Sequence, residues 1–141
     1  MKLRVALLLS INLVAIALLG GCSAMAKMDQ TKSLTITTPN YGSLPDGTYR
    51  GVYDGGLVRA EVAVTIQAKD IQSVELLHHD HGRGAEAEKI VGSIVEAQSL
   101  EVDVVSGATV SSKAILKAVE NALRENALRT ENQGLSEAPS S

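Results

Sequence analysis

Between Val58 and Gln67 the side chains alternate: Val58, Ala60, Val62, Val64 and Ile66 are apolar, with Arg59, Glu61, Ala63, Thr65 and Gln67 between them. A period of two marks a strand with one buried face, because a helix would scatter the same residues around its axis. Such a strand needs partners. Ala68-Lys69-Asp70 separates it from a second β-prone run, Ile71, Val74, Leu76 and Leu77, and so short a connection predicts an antiparallel hairpin. Ahead of both, Gly47-Thr48-Tyr49-Arg50-Gly51-Val52-Tyr53 reads as a third strand, with Asp54-Gly55-Gly56 as its turn.

The period changes after the strands. From Glu86 to Gln98, Ala87, Ile90, Val91, Ile94 and Val95 recur at steps of three and four opposite Glu88, Lys89 and Glu96, which predicts an amphipathic helix. A second helix is expected from Ser111 or Ser112 to about Leu128, with Ala114, Ile115, Ala118, Val119 and Ala122 on its apolar stripe. Its exposed side would carry Glu120 four residues before Arg124. Strands followed by helices indicate an α+β domain over residues 45–128, with a small antiparallel sheet of three or four strands packed with two amphipathic helices.

Outside that domain the chain changes character. Lys2 and Arg4 precede an apolar run from Val5 to Leu19, the order of a secretory signal peptide, and the run is short for a transmembrane span. It ends Leu19-Gly20-Gly21-Cys22-Ser23, which resembles the lipobox of bacterial lipoproteins, so residues 1–21 are expected to be removed and Cys22 to carry lipid at a new N-terminus. Cys22 is the only cysteine, so no intramolecular disulfide can form. Loss of residues 1–21 leaves 11 basic against 16 acidic side chains, a net charge of −5. That sign excludes a nucleic-acid partner and leaves the lipid anchor as the membrane link. Residues 22–44 are polar and turn-rich and are expected to form a flexible tether, with a reach of roughly 25 Å. Residues 129–141 are expected to be a disordered tail.

Chemistry concentrates between the two helices, in Leu100-Glu101-Val102-Asp103-Val104-Val105-Ser106-Gly107-Ala108-Thr109-Val110-Ser111-Ser112-Lys113. Small and hydroxyl residues leading into a helix bring unpaired backbone N–H groups, the positive end of the dipole and side-chain hydroxyls together, and such a place binds phosphate. The same residues also fit a purely structural role, with Ser111 or Ser112 as a helix cap and Gly107 in a turn.

Asp103-x-x-Ser106-Gly107-Ala108-Thr109 resembles the flavinylation motif of the FMN-binding domain family, found in the covalent-flavin subunits of sodium-translocating NADH:quinone reductase and the related ferredoxin:NAD oxidoreductase. The likeness extends to Asp46-Gly47-Thr48-Tyr49, the hairpin, the His-rich turn, Gln98-Ser99-Leu100 and Ser111-Ser112-Lys113-Ala114. It implies FMN joined covalently to Thr109 by an FAD-dependent flavin transferase. Together with the signal peptide and lipobox, it points to an exported carrier that takes electrons from a membrane-bound donor and faces the periplasm or the cell exterior. In that setting Gly107 and Ala108 would keep the approach open, Asp103 would be read by the transferase, and Ser111, Ser112 and Lys113 would stabilise the linked phosphate.

A second polar cluster, His78-His79-Asp80-His81-Gly82-Arg83-Gly84, leads from hairpin to helix. On a strand His79 and His81 would share one face and His78 and Asp80 the other. The resemblance implies a flexible loop over the isoalloxazine edge, with His79 or Arg83 near the ring N1/C2 carbonyl to favour reduced anionic flavin. Two other functions fit the residues: a metal- or ligand-binding lipoprotein using His78 to His81, and a flavoenzyme that reduces its own substrate. The chain has no Phe, no Trp and three Tyr, and Tyr49 is the candidate to stack on a flavin. So few rings favour covalent over noncovalent retention.

Overall fold

The computed structural model describes residues 25–80 and 85–136, with side chains as far as residue 132. The expected signal peptide, Cys22, His81, Arg83 and residues 137–141 lie outside the described residues. The chain runs through a helical segment α1 (described over residues 25–32), strands β1 (Gly47–Asp54), β2 (Arg59–Gln67) and β3 (Asp70–Asp80), a 3-10 turn (Ala85–Lys89), helix α2 (Ile90–Ala97) and helix α3 (Thr109–Ser136). This is the expected α+β arrangement. Three antiparallel strands lie in the order β1-β2-β3.

The β2 alternation does what its period predicts except at Ala63, an outward position that is also buried. Ala60, Val62, Val64 and Ile66 are buried against the helices, while Arg59 and Gln67 are exposed. The β2–β3 turn is tight, with Ala68 and Lys69 at φ 53° and 71°, the pair of positive angles that a two-residue hairpin needs. Asp46 Oδ1 accepts the Ala68 N–H at 2.9 Å, which ties the start of β1 to that turn.

β3 departs from simple alternation. Its register to β2 skips Gln72 and Leu77, so each is a bulge residue, and each bulge reverses the side-chain parity. The double reversal keeps Ile71, Val74, Leu76 and His79 opposite the core-facing Ile66, Val64, Val62 and Ala60. This explains the uneven spacing of apolar residues in the run. It also corrects the expectation of a flexible His-rich loop for its first three residues, since His78, His79 and Asp80 are strand residues paired with Glu61, Ala60 and Arg59.

The layer over the sheet is built on α3. Ala114, Ile115, Ala118, Val119 and Ala122 are fully buried, as their spacing predicts. The helix begins at Thr109, two residues before Ser111, and continues to Ser136 instead of ending near Leu128, so at least residues 129–136 of the expected disordered tail are helical. It crosses β1 closely. A Cβ built on Gly51 would lie 2.1 Å from the Ala118 carbonyl oxygen and 2.7 Å from Ala122 Cβ, so only glycine leaves room for the helix backbone. The other helix differs from expectation at its start. Residues 85–89 form a 3-10 turn and α2 proper begins at Ile90, where Lys89 offers no side-chain cap, and the tighter turn pairs the first amides instead.

Residues 25–44 are not a free tether. Leu34, Ile36 and Thr38 turn inward while Thr35 and Thr37 face solvent, and Leu44 is in the core. Lys113 Nζ donates to the Leu34 carbonyl at 2.7 Å, Thr38 Oγ1 accepts the Leu100 N–H at 2.9 Å, and Tyr41 Oη donates to the Gln98 carbonyl at 2.8 Å. Burial, together with the nearby Asp70 carboxylate, raises the Tyr41 phenol above its ordinary value and keeps it a donor. This strap lies beside the α3 face that carries Lys113, Lys117, Glu120 and Arg124. Glu120 is therefore not on an exposed side: it is 1% exposed and ion-paired to Lys117, at 2.9 Å, and to Arg124.

Replacing Gly51 with valine forces α3 off the sheet and is expected to cost about 3 kcal/mol or more. In a domain of this size that lowers Tm by roughly 10 °C or more, measurable by thermal circular dichroism. An unchanged Tm would disprove the close-contact argument.

Candidate functional site

From Leu100 the chain leaves α2 and runs extended. Leu100 is buried, Val102 and Val104 pack partly against the core, and Glu101 and Asp103 point outward between them. The run ends in a turn closed by the Ala108 N–H donating to the Val105 carbonyl at 3.0 Å. Gly107 occupies the third position of that turn at φ 78°, an angle that other residues adopt only with strain. A Cβ at Gly107 would meet nothing within 4 Å, so backbone angle and not crowding selects glycine.

The turn delivers the chain directly into α3. The first i to i−4 helical bond is from the Ser112 N–H to the Ala108 carbonyl, at 2.9 Å, which makes Ala108 the N-cap position and Thr109 the first helical residue. The N–H groups of Thr109, Val110 and Ser111 precede that bond and have no partner one turn back. They form, with the helix dipole, a cluster of donors around a half-buried threonine. Ser112 fixes the cluster from beneath: its side chain is fully buried, and Oγ accepts the Val105 N–H at 3.1 Å.

The predicted residues thus divide. Asp103, Ser106 and Gly107 are exposed, Thr109 is half-buried, and all four lie on one continuous segment. Ala108, expected to keep the surface open, is buried in the core. Ser112 is tied to the turn, and Lys113 to the Leu34 carbonyl, so the structure assigns both a scaffolding contact. Asp103 borders an open hollow of about 510 Å³ lined also by Ser93, Glu96, Ala97, Glu101 and Val102. Tyr49 packs against the core, and its hydroxyl donates to the Pro45 carbonyl at 2.6 Å.

The His cluster is split by the sheet. His78 Nε2 lies 2.9 Å from Asp80 Oδ1 on the solvent side, while the His79 side chain is 2% exposed, with Nδ1 3.4 Å from Glu88 Oε1 of the 3-10 turn. That turn packs against both α2 and α3, which brings the end of β3 toward the helix that starts at Thr109. Among the described residues no group of three His, Cys, Asp or Glu side chains is placed to hold a metal ion.

Sequence reasoning missed Gln98. Its side chain accepts the Ile71 N–H at 2.8 Å and donates to the Ile71 carbonyl at 2.9 Å, which pairs the free edge of β3 and holds the end of α2 where the site segment begins. Gln98 itself sits at φ 50°. No local periodicity signals such a bridge.

Residues 55–124 match the model of the FMN-binding domain family, and the domain that holds this segment belongs to that family. The match takes in β2, β3, α2, the turn at Gly107 and α3 through Arg124. A protein of Treponema pallidum (strain Nichols), described as an uncharacterized protein, is 36% identical over 85 residues, 58% of this chain and 24% of that protein. The chain thus spans about a quarter of the length of that relative.

Ser112→Ala leaves the partly buried Val105 N–H without its acceptor. The expected cost is about 1–3 kcal/mol, read by urea unfolding, with faster amide exchange at Val105. Full stability in Ser112→Ala would show that the turn does not depend on this bond.

Proposed function

We propose that this protein is an exported, lipid-anchored electron carrier whose FMN is joined to Thr109 by a phosphoester. The observation that carries the reading is the place of Thr109, which ends the Ser106-Gly107-Ala108-Thr109 run within a domain of the FMN-binding family and opens a long helix. The donor set suits the group: a phosphodiester keeps one negative charge, which the N–H groups of Thr109, Val110 and Ser111 and the helix dipole favour. Because Ser112 and Lys113 are engaged elsewhere, backbone groups carry most of that task.

In the attachment step Thr109 Oγ1 attacks the FMN-side phosphorus of FAD held by a flavin transferase. The bond from that phosphorus to the AMP oxygen breaks, AMP leaves, and the hydroxyl proton passes to a base of the transferase. Open space at Gly107 admits the partner's surface, and exposed Asp103 is available for recognition. When bound, FMN supplies one- and two-electron chemistry that the side chains of this chain lack. A membrane-bound reductase is the proposed donor and an extracytoplasmic molecule the acceptor, with lipid on Cys22 after removal of residues 1–21 holding the protein at the membrane.

Co-expression with a flavin transferase is expected to add one FMN mass and a fluorescent band that survives denaturing electrophoresis, both lost in Thr109→Val with the circular dichroism spectrum unchanged. Retained covalent flavin in that variant, mapped by peptide mass spectrometry to Ser106 or Ser111, would refute the site.

Cys22→Ser is expected to leave the precursor uncleaved or to release the protein from membranes, as judged by fractionation and intact mass. Normal processing and unchanged membrane binding would refute the anchor.

A further inference from the structure

Three of the six exposed large apolar side chains among the described residues, Met25, Met28 and Leu57, lie at one end of the domain. α1 is what gathers them. Its Thr31 Oγ1 sits 3.1 Å from Tyr53 Oη at the end of β1, and a Cβ on Gly55 would come within 2.8 Å of that same Thr31 oxygen. The Lys27 side chain lies across Gly56, whose added Cβ would be 2.9 Å from Lys27 Cδ. The hairpin between β1 and β2 and α1 therefore form one packed unit, with Leu57 at the tip, 48% exposed, and Met25 73% exposed on the helix. Thr31 is 1% exposed, so α1 is anchored to the domain and does not merely pass beside it.

Only three chain steps separate Met25 from Cys22, at most about 11 Å of backbone. A flexible coil over residues 22–44 would let the domain wander and tumble, but the packed strap and α1 remove nearly all of that slack. We propose that the end formed by α1 and the β1–β2 hairpin docks on the lipid bilayer, with Met25, Met28 and Leu57 entering its interfacial layer. This rests on the reading of Cys22 as the lipidated residue, which brings the bilayer within reach. Thioether and aliphatic side chains at an acyl boundary gain burial without needing charge, which agrees with the net negative charge of the chain. Docking holds the opposite hairpin, at Ala68 and Lys69, away from the lipid and restricts the orientations in which the Thr109 segment meets membrane-bound partners.

The test uses the chain from Cys22 onward, which contains every described residue. Its single thiol is coupled to a maleimide phospholipid in phosphatidylcholine vesicles, with coupling verified by flotation, and amide hydrogen exchange is compared with the uncoupled chain. Exchange is expected to slow several-fold in residues 25–32 and 55–58, to persist at high salt, and to be unchanged at Ala68 and Lys69. The triple variant Met25→Ser, Met28→Ser, Leu57→Ser is expected to lose the protection while keeping its circular dichroism spectrum. Equal exchange on and off vesicles overturns the docking face, and so does protection that arises in the free chain on concentration, which would assign the patch to a second copy. The anchor is decided separately, by intact mass of the protein from cell membranes. Vesicle protection in a chain that cells leave unacylated keeps the docking face and refutes the anchor, whereas an acylated chain without local protection does the reverse.

Discussion

The contact of α3 with β1 at Gly51 sets the spacing on which the rest of the domain is built. A helix whose facing side chains are Ala114, Ala118 and Ala122 can approach a sheet closely only where the strand also lacks a side chain, and Gly51 provides that gap. Close approach lets Ile115, Val119 and Leu123 reach the Val62 and Val64 row and exclude water. Asn121 then donates to the Val52 carbonyl at 2.9 Å on β1, as Gln98 pairs Ile71 on β3, so an amide side chain satisfies backbone groups on each outer strand.

The start of α3 inherits its position from this packing. Because the helix is locked against the sheet from Ala114 onward, Thr109 and its free amides are held by a rigid element and not by a loop. The Gly107 turn and the Ser112 to Val105 bond add a local brace on the other side. The covalent attachment proposed for Thr109 would need a site firm beneath and accessible above. Buried Ala108 and Ser112 provide the first, and exposed Asp103, Ser106 and Gly107 the second.

Reading the motif letter by letter overstated the number of residues that face the site. Lys113 and Ser112 carry the right chemistry, yet their partners are Leu34 and Val105, and nothing in the spacing of the motif distinguishes a hydroxyl that faces a ligand from one that faces a backbone amide. Leu34 itself lies in a stretch that looks polar as a whole. The alternation of Leu34, Ile36 and Thr38 was visible, but so short a period among threonines and turn residues is overshadowed by composition. The buried Glu120 follows from the same oversight, since a helix face is exposed only if no distant segment covers it.

Sequence by itself determined the elements whose burial repeats locally, the β2 alternation and the apolar stripe of α3, and with them the α+β class; it also showed the motif that resembles that of the FMN-binding domain family. In β2 and α3, neighbouring residues along one element encode the same buried face, so the pattern survives without knowledge of partners. Tertiary structure alone decided which way β3 turns its side chains, because the bulges at Gln72 and Leu77 are defined only by pairing with β2. Without the second bulge His78 and Asp80 would face the core and His79 the solvent. With it, His79 is buried near Glu88 and the His78–Asp80 pair faces water, an outcome set by hydrogen bonds between strands and invisible to the period of either one.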